Sequence, residues 1–444
     1  MTTHRLVVHE ERRDRFARTA KVTLNRFPLS TPYYFTLVKS QDESDLLMDL
    51  TDRFPGEHFG GAVVRLFDSH KIIGNRFKNR QQKRLDLPTR LAEESFLRYI
   101  DRHPIIVDPS TDDAYYLAEM RKWKNDSLIH PTIRDFAKLI LDNRKRQNPD
   151  KWRKGHYWTL WNFELAKNPA KSNDLIVKTF DAELHYGSST LLVPGPLIDD
   201  VTGLQTAIEF NETGEANAVG KDADFGNYFI LTANAILDRE VRESLSEFIA
   251  GSKVRLNFLK FKFLNLRNAS MDMLEAYADF YSRLAEIREG RPDTVLGVFE
   301  NDCQAFVSAT VCFDFVSTSM TGYDRYPRGR AKEGYGGIFS ARDLAHMKFA
   351  KYKEAYVNNG EKPLCEHVVC RNIDPRTVSK AAWYGTRRQD YVLCMEDLMT
   401  KVVNYVWDGN IEQTKQDVTN SYMSPLKNII PSRWGDSSIP LPTP

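Results

Sequence analysis

The stretch PLCEHVVCRNIDP, residues 363–375, carries two thiols and an imidazole at the spacing C-x-H-x-x-C: Cys365, His367 and Cys370. Thiolate and imidazole are the donors zinc prefers, four of them in a tetrahedron. Two donors two residues apart, with a third three further on, can wrap one ion from a tight turn. The fourth donor must come from elsewhere. Cys394 is the candidate, with Glu396 as a possible substitute. Cys394 opens CMEDLMTKVVNYVW, which is helical by its apolar spacing, and a thiolate near a helix start is favoured electrostatically. Four protein donors leave no open position, so the expected Zn2+ is structural. The bland alternative is a set of ordinary buried cysteines; three Cys and one His clustered in this way argue against it.

A second group of chemically able side chains sits where apolar runs stop. HPIIVDPSTDD ends in Asp108 with Ser110 and Thr111 behind it; NYFILTANAIL places Asn234 at its end; TVLGVFEND ends in Glu300 and Asp302; FDFVSTSM carries Ser317 and Ser319. Each has an ordinary reading too. Asp before Pro-Ser-Thr is common turn chemistry, Asp302 could cap the following helix, and Asn234 could be a buried structural amide. Asp314 reads as a hydrogen-bonding residue at a strand start.

The elements that must position these residues alternate. After residue 170, strand-like runs are separated by helices: DREVRESLSEFIAGS with Asp238 as N-cap, and SMDMLEAYADFYSRLAEIREG, capped by Ser270 and stopped by Gly290 with Pro292 behind it. Strand, helix, strand, helix implies parallel strands joined by crossovers. The expected fold is α/β, a (β/α)8-type TIM-like barrel whose strand ends share one face. A doubly wound open sheet is the competitor, but it would more often carry a Gly-rich phosphate turn, and no G-x-G-x-x-G is present. The expected division is an N-terminal mixed α/β extension at 1–100, the barrel at 101–362, a zinc-binding insertion with a closing helix at 363–412, and a tail at 413–444.

Hydrophobic residues make up 41% of the 444 and charged residues 27%, enough for a sizeable core. A formal net charge of +2 excludes a uniformly basic nucleic-acid binder but not local patches. Three patches stand out. KIIGNRFKNRQQKR includes Arg80, Lys83 and Arg84. Arg144, Lys145 and Arg146 precede Trp152, Tyr157, Trp158 and Trp161. GYDRYPRGR supplies Arg325, Arg328 and Arg330. Basic side chains neutralise phosphates and aromatic rings stack on unpaired bases. No stretch approaches the roughly eighteen uninterrupted apolar residues of a membrane span, and the charged start lacks the apolar core of a secretory signal. Five cysteines, all between 303 and 394, are not a disulfide framework; a reducing cytoplasm is the simplest expectation.

The C-terminal third resembles the tRNA-guanine transglycosylase superfamily. Those enzymes are (β/α) barrels with a C-x-C-x-x-C zinc motif and a His on a downstream helix, shortly after a strand that bears a catalytic Asp. Here VCFDFVSTSMTGYDRYPRGR, PLCEHVVCRNIDP and YVLCMEDLMTKVVNYVWDGNIEQ follow in the same order, over roughly residues 290–412. His367 stands where the family has its middle Cys, and Glu396 falls at the place of the helix His, with Cys394 just before it. Ser317 stands at the nucleophile position, with Asp314 reached by sliding three residues. Asp108 matches the family's first Asp. The resemblance implies chemistry on an N-glycosidic bond of nucleic acid. Its departures point to the DNA-directed branch, whose members insert 7-deazaguanines into DNA or excise modified bases from phage DNA. Asp108, Glu300 and Asp302 would then counter the charge that develops on the sugar, with Ser317 placing a water or phosphate and Asn234 meeting a base edge. The expected activity is that of a DNA glycosylase leaving an abasic site in modified, phage-type DNA. Base exchange in DNA or tRNA and a non-catalytic nucleic-acid-binding barrel are the rivals.

Overall fold

In the computed structural model, an antiparallel meander precedes the first barrel strand: β1 (Val7–Asp14), β2 (Ala17–Leu24) and β3 (Phe27–Thr31). The structure describes residues 6–69, 98–110, 121–125, 169–262, 269–299, 305–320, 337–341, 344–359, 367–371 and 373–419, with isolated positions between 131 and 141 and at 427 and 430. After the meander, eight parallel strands stand side by side in chain order. They are β4 (Tyr33–Val38), β5 (Gly61–Arg65), β6 (Ile105–Asp108), β7 (Thr190–Leu192), β9 (Asp224–Leu231), β10 (Leu256–Phe261), β11 (Val295–Phe299) and β12 (Phe315–Ser319). A two-residue strand, β8 (Leu197–Ile198), lies against β9 off this path. The last strand, β12, pairs in parallel with the first, β4, which wraps the sheet into a nearly closed TIM-like barrel.

The remaining seam lies between β6 and β7, where side chains do part of the work of a ladder. Ser189 N–H donates to the Ile105 carbonyl at 2.7 Å. Ser188 Oγ accepts from Val107 N–H at 3.0 Å and donates to the Thr190 carbonyl at 2.7 Å. Glu183, from the helix Pro169–His185, accepts the Leu192 N–H at 3.1 Å. A buried backbone donor left without a partner would cost about 1–3 kcal/mol, so these side chains fill a real gap.

The register decides which residues face the barrel axis. Phe258 and Lys260 on β10 lie level with Tyr228 and Ile230 on β9, and Arg65 on β5 lies level with Asp108 on β6. Side chains alternate in a strand, so Phe261 points the other way, packing on Tyr277 and Tyr281 of the helix Met271–Gly290. A chain of rings fills the axis: Phe35 against Phe315, Phe315 against Phe258, Phe258 stacked on Phe299 at 4.7 Å, and Phe299 against Tyr228. Gly297 makes room for it, since a Cβ there would stand 2.4 Å from Phe258 Cδ1. The interior is therefore packed, as small parallel barrels are.

The meander crosses the N-terminal end of the barrel and is pinned there by charge. Arg18 on β2 donates to the Pro292 and Thr294 carbonyls and to both carboxylate oxygens of Asp314, at 2.8 and 3.0 Å. Asp314 also takes Leu296 N–H at 3.0 Å and Arg288 Nη1 at 3.3 Å. Farther across, Asn25 N–H donates to Asp224 at the start of β9.

Two expectations about boundaries change. The barrel begins at Tyr33 rather than residue 101, because β4 and β5 supply two of its eight strands. Their apolar runs, YYFTLV and GAVVR, are short and sit among charged, aromatic-rich sequence, which hid them. Downstream, the closing helix spans Lys380–Asp408, capped by Ser379 and ended by Gly409 in the left-handed region at φ 65°. Cys394 therefore lies mid-helix, and the electrostatic argument from a helix start does not apply to it. A hairpin of β13 (Gly337–Ser340) and β14 (Ala345–Lys348) and the helix Phe349–Asn359 precede the closing helix. Ile338, Phe349, Tyr352, Cys370 and Trp383 form a small core of their own, separate from the barrel's. Among the described residues, no helix is long and apolar enough to cross a membrane.

Candidate active site and metal centre

Asp108 ends β6 facing inward, fully buried. Its Oδ1 accepts the Tyr228 hydroxyl at 2.8 Å and Ser110 N–H at 2.9 Å; its Oδ2 accepts the Ser110 hydroxyl at 3.0 Å and Lys260 Nζ at 2.6 Å. Lys260 Nζ also reaches Ser110 Oγ at 2.6 Å. The pair comes from strands three apart in the barrel, both side chains without solvent exposure. Arg65, level with Asp108, adds a third charged group to the inward face near this end. The Pro109 turn after Asp108 explains the local geometry: it lets Ser110 fold back onto the carboxylate, an Asx-type turn. Asp108 is thus a turn residue whose carboxylate faces the barrel axis.

Glu183 is buried behind this cluster. Burial drives its carboxyl well above the usual range, the Leu192 N–H opposes that shift, and the charge of Asp108 adds to it. Glu183 therefore sits close enough to Asp108 to sense its charge.

Ser317 faces inward on β12 and is fully buried, but its hydroxyl has no hydrogen-bond partner among the described residues and is not tied into the Asp108 cluster. Asn234 follows β9 at the same end of the barrel. Its side chain is exposed and donates to Asp199 at 3.1 Å, and Thr232 donates to the same carboxylate oxygen. It belongs to a rim group, separate from Asp108. Asp314, the residue reached by sliding the register, is a structural ion-pair centre at the opposite end. Its carboxyl is held below the usual range by Arg18 and Arg288 against the desolvation of burial. Glu300 and Asp302, Arg325, Arg328 and Arg330, Arg80, Lys83 and Arg84, and Arg144, Lys145 and Arg146 lie outside the described residues.

A second cluster joins the small C-terminal core to the barrel. His367 Nδ1 lies 2.8 Å from Asp390 Oδ1, Cys370 Sγ 3.0 Å from the same oxygen, and Cys394 Sγ 3.8 Å from Asp390 Oδ2. One donor atom each from His367, Asp390 and Cys394 falls within 4.8 Å of the others. Tetrahedral zinc with the usual bond lengths separates its donors by about 3.3–3.8 Å; this group is close enough to hold a metal ion, with His367 and Asp390 drawn to hydrogen-bond distance, 2.8 Å. Asp397 holds His367 Nε2 at 2.9 Å, the kind of partner that fixes the ring of a metal-binding histidine. Cys365 lies outside the described residues. Glu396 is not part of the group. Asp390, Cys394 and Asp397 fall on one helical face at i, i+4 and i+7, whereas Glu396 is half-buried near Gly56, where desolvation lifts its carboxyl to about 8.

Three of these residues escaped the sequence reading. Asp390 was legible as the i−4 partner of Cys394 had the helix been extended back to Ser379. Lys260 is a lysine at inward parity in the apolar run LNFLKF, which demands a buried counter-charge. Tyr228 carries no signal beyond its place in a strand. No protein-family model and no curated protein matches the chain.

Proposed function

We propose that the protein cleaves N-glycosidic bonds in nucleic acid, as a DNA glycosylase that excises a modified base and leaves an abasic site. The observation that supports this reading is Asp108: a carboxylate turned inward where β6 ends, fixed by four hydrogen bonds. Breaking the bond between base and sugar builds positive charge at C1′. A fixed carboxylate stabilises that charge without reorganising, because its partners already hold it in place. Tyr228 and Ser110 set its direction, and Lys260 Nζ stands 2.6 Å from it. Glu300 and Asp302 immediately follow β11, whose C-terminal end lies at the same end of the barrel, and either would activate a water for attack on C1′. Ser317, a hydroxyl at the position of the family's nucleophilic Asp, offers no carboxylate for a covalent base-exchange intermediate, which favours hydrolysis. A base in a duplex must be turned out of its stack to reach such a site, and Arg325, Arg328 and Arg330, which follow β12 in the sequence, would hold the flanking phosphates.

A Zn2+ held by His367, Asp390 and Cys394, with Cys370 or Cys365 as the fourth donor, would serve structure: it would tie the small C-terminal core to the barrel.

The test presents DNAs of differing base modification and scores alkali-labile abasic sites, with and without a free 7-deazaguanine. Abasic sites that disappear in Asp108→Asn, by about 10²-fold or more in rate, support excision. Incorporation of the free base indicates exchange instead. A folded Asp108→Asn variant with every activity intact refutes the reading.

A further inference from the structure

We propose that Lys260 is a nucleophile, its amine bonding to C1′ of the deoxyribose to form an imine, so that the protein acts on abasic sugars as well as on bases. This rests on the base-excision reading. A lysine with no solvent exposure on an apolar strand is expensive to keep, and a pair such as Lys260–Asp108 is often replaced by apolar residues at no loss of stability. Stability is therefore a weak reason for its presence. Its surroundings suit an amine nucleophile. Asp108 Oδ2 stands 2.6 Å from Nζ, close enough to take a proton, and Ser110 Oγ, also at 2.6 Å, steadies the nitrogen. Passing that proton leaves a neutral amine, the form able to attack, beside a protonated Asp108. Tyr228 and Ser110 N–H keep the acid in place meanwhile. Lys260 also points along the barrel axis, level with Ile230 and one strand from Tyr228, rather than outward under the helices.

The sequence of bonds balances without an oxidant or reductant. Asp108 takes one proton from the ammonium. The Nζ–C1′ bond forms as the C1′–base bond breaks, and the base leaves with that electron pair and the proton from Asp108. Asp108 then removes a second proton from nitrogen and returns it to O4′ as the C1′–O4′ bond opens, leaving a protonated imine. Asp108, again a carboxylate, takes the C2′ proton as the C3′–O bond breaks, and the 3′ phosphate leaves with that electron pair, which nicks the strand. Water finally hydrolyses the imine and restores the amine.

The experiment mixes the full chain with DNA carrying a preformed abasic site in the presence of borohydride, which reduces an imine to a stable amine. Base release from modified DNA is scored separately. The expected result is a covalent protein–DNA band, mapped by peptide mass to Lys260 and reduced to background in Lys260→Arg. Mapping the adduct on the unaltered protein keeps the test sound if the variant folds poorly. Base release with no trapped band overturns the role of Lys260 and leaves excision standing. A band at a different lysine overturns it as well. A band at Lys260 without base release from any DNA supports the amine chemistry and removes the excision reading.

Discussion

Replacing Asp314 by asparagine should destabilise the fold by about 3–5 kcal/mol, the cost of removing one partner from a buried ion pair. The carboxylate has no solvent exposure and neither has the Arg18 side chain; Arg288 is exposed by only 2%. Asparagine keeps the volume and one acceptor but removes the carboxylate that both guanidiniums share, leaving Glu10, 3.6 Å from Arg18 Nη1, as a more distant counter-charge. At an effective dielectric near 20, a charge pair at about 4 Å is worth about 4 kcal/mol, so the loss of two attractions more than covers the expected figure before any relaxation. Arg288 is already strained in this sense, its guanidinium drawn down to about 10 by desolvation even with Asp314 present. Urea unfolding at several pH values measures the effect. Asp314 has a depressed carboxyl in the folded state, so its contribution is complete above the unfolded value near 3.9 and vanishes as pH falls through the folded value. The gap between wild type and Asp314→Asn should persist from pH 7 to about 4 and close below that. A gap under about 1 kcal/mol at pH 7 would refute the view that this cluster fastens the meander to the barrel.

Glu183 should behave with the opposite sign. Its carboxyl is raised by burial, so its stabilising effect is complete below the unfolded value near 4.3 and is lost as pH rises toward the folded value. Glu183→Gln keeps an acceptor for Leu192 N–H and should gain on wild type in thermal unfolding between pH 5 and 8; parallel curves would contradict this. Gly297→Ala must push Phe258 aside and should cost about 1–3 kcal/mol, with an altered near-ultraviolet aromatic spectrum as the structural readout. Asp390→Ala and Cys394→Ser should lose zinc to a chelator that wild type withstands, as metal analysis would report, while Glu396→Gln retains it. Equal zinc retention by all three would remove Asp390 from the donor set.

The alternation of strands and helices made the barrel readable because its strands are buried on both faces and bounded by good caps. Asp238 and Ser270 both cap the helices assigned to them. The early strands were obscured because four to six apolar residues among charges look like loop sequence until a partner strand is known. Asp108 was visible as a polar stop to an apolar run. Its partners were not, since Lys260 and Tyr228 lie 152 and 120 residues away in sequence and meet it only through barrel closure. His367 and Cys394, two of the three residues that could hold a metal ion, were already singled out by type and spacing. Asp390 was hidden by a helix start placed too late: the polar stretch before Cys394 continues the helix because Trp383 and Gln389 bury their side chains beneath it.

The meander across the N-terminal end has a consequence for traffic through the molecule. With Arg18, Arg288 and Asn25 fastening the meander and aromatic rings filling the axis above it, the N-terminal end of the described barrel is closed. Anything that reaches Lys260 arrives over the rim formed where the strands end, and anything released there departs by the same route. A bulky nucleic acid seated on that rim would block the exit of a freed base until the strand itself lifts away.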